Sequence, residues 1–287
     1  LTQELTKSIS KVTKKQHGIF ITPRSIIETM MKLLNKYMKD VNTILEPSCG
    51  SCEIINYIDS KYKSKKIVGI ELNHTIYDKI KDLQFNNNTR LLNMDYLAYN
   101  NDDMYDLIIG NPPYFVMPKS KVDKQYYNLF DGRPNIFVIF LIHSLPKLAK
   151  NGILCFILPK NFLNCLYYDK LRNLINKNYT ILNILDTSRE KFIDTQQDTM
   201  IFTIQNKKPK SIHNDSFLAT INYLATRRDE SSYLVGEPSI TLSPQRLTKN
   251  QSLVKTASAD TVIPSLKLQG QDRKSTRLNS SHANISY

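Results

Sequence analysis

The segment Asn111-Pro112-Pro113-Tyr114, which follows the apolar run 107–109, is the strongest chemical signal in the chain. Two successive prolines fix the backbone, so the side-chain oxygen of Asn111 and the carbonyl oxygen of Pro112 are held with little freedom. Such a pair of acceptors suits one task, which is to grip both hydrogens of a planar –NH₂ group. The lone pair of a ring amine is delocalised, and accepting both hydrogens favours its reactive, pyramidal form. Tyr114 adds a ring face on which a heterocycle can stack.

The same residues would also fit an ordinary strand-terminating turn with a surface tyrosine, but two other segments favour chemistry. Glu46-Pro-Ser-Cys-Gly-Ser-Cys-Glu53 predicts a tight turn into a helix that offers backbone N–H groups and a carboxylate to a ligand. Glu71 ends the run Ile-Val-Gly-Ile-Glu about 20 residues further on, where an acidic residue usually holds ribose hydroxyls. A G-x-G-x-x-G motif is missing, which disfavours a nicotinamide cofactor.

The elements that must position these segments alternate between strands and helices. Thr22-Pro23, followed by apolar residues at helical spacing, predicts an opening helix of about 16 residues with Thr22 at its cap. Further helices are predicted over Glu53–Tyr62, Thr75–Asn86, Asn135–Ala149 and Tyr167–Asn176. Seven strands are predicted over Thr43–Glu46, Lys66–Glu71, Arg90–Leu92, Tyr105–Ile109, Gly152–Leu158, Thr180–Leu185 and Thr199–Gln205. This alternation is typical of a parallel sheet, whose ligands lie at the carboxyl ends of the strands.

Composition narrows the class of protein. The chain of 287 residues carries 39 Lys+Arg against 26 Asp+Glu, a net charge of +13, which makes a polyanion the leading candidate partner. Four cysteines in a chain of this size indicate a reducing compartment, so a cytoplasmic location is expected. No apolar run approaches the roughly 20 residues of a bilayer-spanning helix, and the start lacks a signal-peptide pattern. Neither a membrane anchor nor secretion is therefore predicted.

The chain divides into three parts. Residues 1–206 hold the α/β pattern, and residues 207–271 turn Lys/Pro/Ser-rich, as in a linker followed by a second domain that stops early. Residues 272–287 resemble a translated sequencing adapter and are predicted to be disordered, with a natural Ser/Arg-rich tail as the alternative. Because residue 1 is Leu, the N-terminus is expected to be processed or cut from a longer reading frame.

Taken together, Asn-Pro-Pro-Tyr, Glu-Pro-x-Cys-Gly and the later Gly-Ile-Glu resemble the S-adenosylmethionine-dependent DNA adenine-N6 methyltransferases of restriction–modification type. The segment from His17 to Pro23 precedes the Glu-Pro turn, which is the order of the γ class, whose N-terminal motif is motif X. The resemblance covers about residues 15 to 205. It implies a Rossmann-like class I methyltransferase fold with a seven-stranded, mostly parallel sheet flanked by helices, and a C-terminally truncated DNA-recognition domain in 207–271.

The function that the resemblance implies is a site-specific, adenine-specific DNA methyltransferase. It would transfer a methyl group from S-adenosylmethionine to N6 of an adenine flipped out of double-stranded DNA. The resemblance further implies a monomer that needs no metal and is compatible with a restriction endonuclease counterpart. Two alternatives stay open: an RNA-base or protein-glutamine N-methyltransferase that uses the same grip, and an inactive nucleic-acid-binding fragment.

The resemblance also assigns residues to the cofactor. The positions that match the family's cofactor site are Phe20, Thr22, Glu46, Pro47, Gly50, Glu71, Leu72, Asp95, Tyr96 and Phe140. Phe20 and Thr22 would contact the methionine part, and Glu46 with the turn at Gly50 would hold the amino-acid end. Glu71 would bind the ribose hydroxyls.

Three further matches surround the cofactor adenine, and one reaches the substrate. Leu72 would pack on the adenine, Asp95 would accept from its amine, and Phe140 would close its other face. Because Phe140 lies in an apolar helix, a place in the core fits it equally well. Phe192 matches the position that stacks, with Tyr114, on the flipped target base.

Two cysteines of the turn and two basic runs have separate interpretations. Cys52 stands where the family commonly has glycine, which predicts a local change in the turn. Cys49-x-x-Cys52 could form a redox pair or half a zinc site, but Cys155 and Cys165 are not at ligand spacing, so no metal is expected. The basic runs 118–124 and 207–210 are candidate phosphate contacts or solvated faces.

Overall fold

The computed structural model describes residues 22–187 and 198–210, together with the backbone of 234–236 and 239–241. Its sheet contains β1 (Thr43–Glu46), β2 (Lys66–Glu71), β3 (Asn88–Asn93), β4 (Tyr105–Gly110), β5 (Leu148–Pro159), β6 (Thr180–Asp186) and β7 (Thr199–Gln205). These strands lie in the order β3-β2-β1-β4-β5-β7-β6, and β7 pairs antiparallel with both neighbours. The predicted seven-stranded, mostly parallel sheet is confirmed. Two short strands, β8 (Leu234–Gly236) and β9 (Ser239–Thr241), extend it antiparallel beyond β6.

In the part of the chain that the structure describes, five α-helices flank the sheet: α1 (Arg24–Leu34), α2 (Glu53–Lys61), α3 (His74–Ile80), α4 (Ile136–Ser144) and α5 (Asp169–Asn178). Side chains alternate across each strand, so β4 sends Ile108 to one face and Leu107 and Ile109 to the other. The first face packs on α4 and α5, and the second packs on α1 and α2. The central strands are buried on both sides, which leaves their ends as the places open to a ligand.

Most of the helices are shorter than the sequence pattern predicts, whereas α5 keeps its predicted length but begins and ends two residues later than predicted. α1 ends at Leu34 rather than near residue 38, and turns continue to Met38, whose N–H bonds to the carbonyls of Leu34 and Asn35. α3 ends at Ile80 rather than at Asn86, and Asn86 is held together with Asn87 by the carboxylate of Asp59. α4 ends at Ser144, where a 3₁₀ turn containing Pro146 replaces the predicted continuation to residue 149.

The helix α4 is buried on all sides, and every one of its nine residues lies in the interior. It begins at Asn135, whose side-chain oxygen accepts the Phe137 N–H at 3.4 Å, in the manner of an N-cap. Even so, none of the described helices is both long and apolar enough to cross a bilayer. The apolar character of α4 is therefore explained by its place beneath β4 and β5.

Candidate active site at the carboxyl ends of the strands

The turn after β1 joins Glu46 to α2. The Cys49 N–H donates to the Ile70 carbonyl at 2.9 Å, and the Cys52 N–H donates to the Cys49 carbonyl at 2.7 Å. Gly50 and Cys52 both have left-handed backbone, with φ of 50° and 62°. The cysteine thus adopts a backbone conformation that favours glycine. A Cβ placed on Gly50 would meet no atom within 4 Å, so the space beside this turn is open.

Two buried carboxylates lie beside the turn. Glu46 is 3% exposed, and its Oε2 has no hydrogen-bond partner among the described residues. Burial raises the pKa of Glu46 well above its ordinary value. The oxygens of Glu71 accept the Gly50 N–H at 2.9 Å and the Asn73 N–H at 2.7 Å. Burial raises the pKa of Glu71 as well, while these two backbone bonds oppose the rise.

The Asn111 side chain is held on both ends of its amide. Its Nδ2 donates to the Thr22 hydroxyl at 3.3 Å, and its Oδ1 accepts the Tyr114 hydroxyl at 2.5 Å. The Tyr114 hydroxyl also lies 2.8 Å from the Ile157 carbonyl of β5. Burial raises the pKa of Tyr114 well above its ordinary value, so the phenol stays protonated and remains a donor. An amide oxygen has two lone pairs, so Oδ1 can accept a second hydrogen.

Three of these contacts were not predicted from the sequence. Thr22 does not cap α1, whose N-cap is Pro23, and its side chain turns to Asn111 instead. The Ser48 hydroxyl, in the turn after β1, donates to the Asn111 backbone carbonyl at 3.2 Å. The third contact is the Ile157 carbonyl, which the Tyr114 hydroxyl meets across neighbouring strands. The Thr-Pro pair is the one sequence signal among these, and its pattern is equally that of a helix start.

The predicted adenine-side residues differ in accessibility. Leu72 is 63% exposed beyond the end of β2. Asp95 is exposed and uses one oxygen to accept the Leu97 N–H at 2.9 Å. Tyr96 and Phe140 are buried, with ring centroids 5.0 Å apart, and the Tyr96 hydroxyl pairs with Ser144. The roles assigned to all four stay predictions.

The other predicted site residues fall into two groups. Pro47 and Pro112 are buried at the ends of β1 and β4, where they stiffen the two loops. Phe20 and Phe192 lie outside the described residues, as does the adapter-like segment 272–287. Within the described part of the chain, no group of three or more His, Cys, Asp or Glu side chains could hold a metal ion.

Solved structures with the same arrangement define the class of the fold. A protein of Listeria monocytogenes assigned to the class I S-adenosylmethionine-dependent methyltransferases superposes with a TM-score of 0.57 at 19% identity, over 76% of this chain and 78% of that one. The type IIG restriction endonuclease BpuSI matches over 76% of this chain and 31% of its own, with a TM-score of 0.53 at 14% identity. The fold is therefore the Rossmann-like class I methyltransferase fold, as predicted.

Sequence comparison narrows the class to a family. The chain belongs to the Eco57I restriction-modification methylase family, whose model matches residues 14–192. The type II methyltransferase M.CvrRI of Paramecium bursaria Chlorella virus XZ-6E is 28% identical over 79% of this chain and 58% of its own length. The modification methylase CviBIII of virus NC1A is 30% identical over 72% of this chain and 54% of its own. The chain thus spans little more than half the length of these relatives.

Family and fold give S-adenosylmethionine as the cofactor, which confirms that prediction. The residues of the turn fit it. Glu46 Oε2, which has no partner among the described residues, could accept a hydrogen bond from the α-amino group of the cofactor. Each Glu71 oxygen keeps a lone pair that could accept a ribose hydroxyl. The open space at Gly50 leaves room for the amino-acid end of such a ligand.

Proposed function

We propose that this chain is the catalytic part of a DNA methyltransferase that modifies N6 of an adenine flipped out of the duplex. The observation that carries the proposal is the Asn111 amide, held by Thr22 and Tyr114 at the end of β4. This strand lies beside β1, which ends at Glu46 and is followed by the turn whose Gly50 N–H donates to Glu71. The family and the names of its relatives support DNA as the substrate.

The residues at the end of β4 would hold the target amine. S-adenosylmethionine supplies an electrophilic methyl group. Asn111 Oδ1 would accept one amine hydrogen and the Pro112 carbonyl the other, which turns the nitrogen lone pair away from the ring. The Tyr114 ring would stack on the base, with Phe192 as its predicted partner. Because both acceptors are fixed before the base arrives, positioning and electrostatics would supply most of the rate.

Base flipping would use both the aromatic residue Tyr114 and the positive charge of the chain. An adenine inside a duplex cannot reach Asn111, so it must leave the stack at a cost of a few kcal/mol. Stacking on Tyr114 would return about 1–3 kcal/mol of that cost. Exposed lysines of the segment 118–124 would contribute phosphate contacts.

Transfer of labelled methyl groups tests the proposal directly. The full chain is incubated with methyl-labelled S-adenosylmethionine and separate DNA, RNA and protein acceptors, and the products are digested to nucleosides or amino acids. The expected product is N6-methyladenine from DNA, formed far more slowly by the Asn111→Ala variant. Label in cytosine, RNA or glutamine would overturn the choice of acceptor. Cofactor binding with no transfer to any acceptor would overturn the claim that this part of the protein is catalytic by itself.

A further inference from the structure

Two exposed apolar side chains project from the turn between β5 and α5. Leu166 is 76% exposed and Tyr167 is 54% exposed, although Phe162 and Tyr168 in the same turn are buried. We call Leu166 and Tyr167 the apolar tip. Single exposed apolar residues are common on protein surfaces, but two adjacent ones of this size on one turn indicate an interaction.

The turn that carries the apolar tip is rigid. The Arg172 guanidinium donates to the Phe162 carbonyl at 2.6 Å and to the Cys165 carbonyl at 2.8 Å. The buried rings of Phe162 and Tyr168 pack against each other and against Phe137 of α4. The tip is therefore presented by a braced turn and cannot fold back into the core.

The apolar tip lies against the loop that begins at the catalytic amide. The loop of residues 111–135 connects Asn111 to α4, and its Asp131 N–H donates to the Tyr167 carbonyl at 3.0 Å. The Tyr167 ring lies 3.5 Å from the position that a Cβ of Gly132 would occupy, and Lys170 pairs with Asp131 at 2.6 Å. Since the two loops leave neighbouring strands, the tip and the proposed base site share one edge of the sheet.

The charges of the loop that contacts the apolar tip fit a nucleic acid. Lys119, Lys121 and Lys124 of the loop are exposed, and no ion pair joins them to a carboxylate in the described part of the chain. The carboxylates Asp131 and Asp169 are already paired with Lys170 and Arg172, and Asp123 of the loop accepts two hydrogen bonds from Gln125. A duplex would place its phosphates on the lysines and its bases beside the apolar pair.

We propose that the apolar tip contacts the DNA duplex beside the target adenine and stabilises the flipped state by packing into the disturbed base stack. This inference rests on the proposed function. Apolar side chains that enter a base step partly unstack it, and the cost of extrusion is lowest where the base is already unpaired. A defect in the tip should therefore matter for paired DNA and much less for DNA whose target adenine has no partner.

The test compares two substrates. Methylated positions from wild-type reactions first define the target site. Two duplexes are then made, one fully paired and one with the target adenine opposite an abasic position. For the double variant Leu166→Ala, Tyr167→Ala, kcat/KM should fall about tenfold or more on the paired duplex and less than about threefold on the other. Tyr167→Phe alone should keep most of the activity, since the ring is retained.

Met104→Ala is the matched control, because Met104 is 48% exposed at the opposite, amino end of β4. It should leave both substrates unaffected. Cofactor affinity and melting temperature should be unchanged in all variants. Equal losses of activity on both duplexes would overturn the inference and would point to packing against another part of the protein. The absence of a loss on either duplex would also overturn the inference. Failure of the wild type to methylate DNA adenine would instead overturn the proposed function.

Discussion

At the scale of single residues, Asn111 is the side chain on which the proposed chemistry depends. Its amide nitrogen, amide oxygen and backbone carbonyl each have a partner, from three different segments of the chain. A side chain held in this way loses little entropy when the base arrives, which is the physical content of preorganisation. In the proposed function, Asn111 holds the target amine, whereas the open turn at Gly50 accommodates the cofactor.

Substitution Asn111→Ala should therefore separate catalysis from cofactor binding. The loss of one acceptor aimed at the amine should lower kcat by about a hundredfold or more. The dissociation constant for S-adenosylmethionine should stay nearly unchanged, because the carboxylates of the cofactor site remain. Single-turnover transfer and a calorimetric titration measure the two quantities. Equal losses in both would contradict the role of Asn111.

Thr22 provides a finer test of how the amide is oriented. Thr22→Val removes the acceptor for the Asn111 Nδ2 donor but keeps the shape of the side chain. One lost hydrogen bond, about 1 kcal/mol, should lower kcat by about fivefold to tenfold. Thr22→Ser keeps the hydroxyl and should restore most of the rate. If both variants instead weaken cofactor binding without changing kcat, Thr22 contacts the cofactor, as the family resemblance implies, and does not position Asn111.

The stability of the folded protein should depend on pH through Glu46. Burial raises its pKa in the folded protein, so the folded state keeps a proton that the unfolded state loses. The stability from this group is present below its unfolded pKa of about 4.3 and is lost as pH rises through the folded value. The measurement is the melting temperature without cofactor at about pH 5 and about pH 8. Between these two pH values, the melting temperature of Glu46→Gln should fall less than that of the wild type. A parallel decline in both proteins would show that Glu46 does not titrate in this range.

At the scale of elements, the sequence was most informative about strands. All seven predicted strands are present, because each is a short β-branched or apolar run bounded by turn residues. Helix ends were less predictable. Beyond the end of α3, Asp59 binds Asn86 and Asn87 across a separation of more than two dozen residues in sequence. Such tertiary contacts leave no local pattern in the chain.

In the candidate site, too, the sequence predicts the residue types but not the tertiary contacts. The types of Glu46, Glu71 and Asn111 could be assigned from the ends of predicted strands, where ligands gather in this class of sheet. The contacts that orient them could not. The Ile157 carbonyl is a backbone atom with no residue-type signal, and it meets Tyr114 only because β4 and β5 are neighbours. The motifs therefore predict the residues of the candidate site, and the order of the strands determines which other groups hold those residues.

Gly69 of β2 packs closely against α2 and the turn after β1, so its substitution tests how that turn is positioned. A Cβ there would lie 2.6 Å from Ile55 Cδ1 of α2 and 3.3 Å from Cys49 Sγ of the turn. Gly69→Ala should therefore lower the free energy of unfolding by about 1–3 kcal/mol and weaken cofactor binding. The control Gly110→Ala adds a Cβ whose closest neighbour is 3.4 Å away, so its loss of stability should be smaller. Chemical denaturation compares the two, and an equal loss would mean that crowding at Gly69 is relieved by α2.

At the scale of the whole molecule, charge and topology together predict which edge of the protein faces DNA. The net charge of +13 attracts a polyanion without choosing a side. The exposed Lys121 and Lys124 lie in the loop after β4, at the carboxyl edge of the sheet, whereas the exposed Lys61 and Lys63 lie before β2, at the amino edge. If the proposed site defines the docking face, only the first pair touches phosphates.

The salt dependence of DNA binding distinguishes the two edges. Each phosphate contact contributes about 0.9 to the slope of log K against log salt concentration. Lys121→Gln with Lys124→Gln should reduce that slope by about 2 and weaken binding at low salt. Lys61→Gln with Lys63→Gln makes the same change in net charge and should leave the slope nearly unaltered. Fluorescence anisotropy over a range of salt concentrations measures both. Equal reductions would mean that binding responds to net charge alone, and the carboxyl edge would lose its claim to be the DNA-binding face.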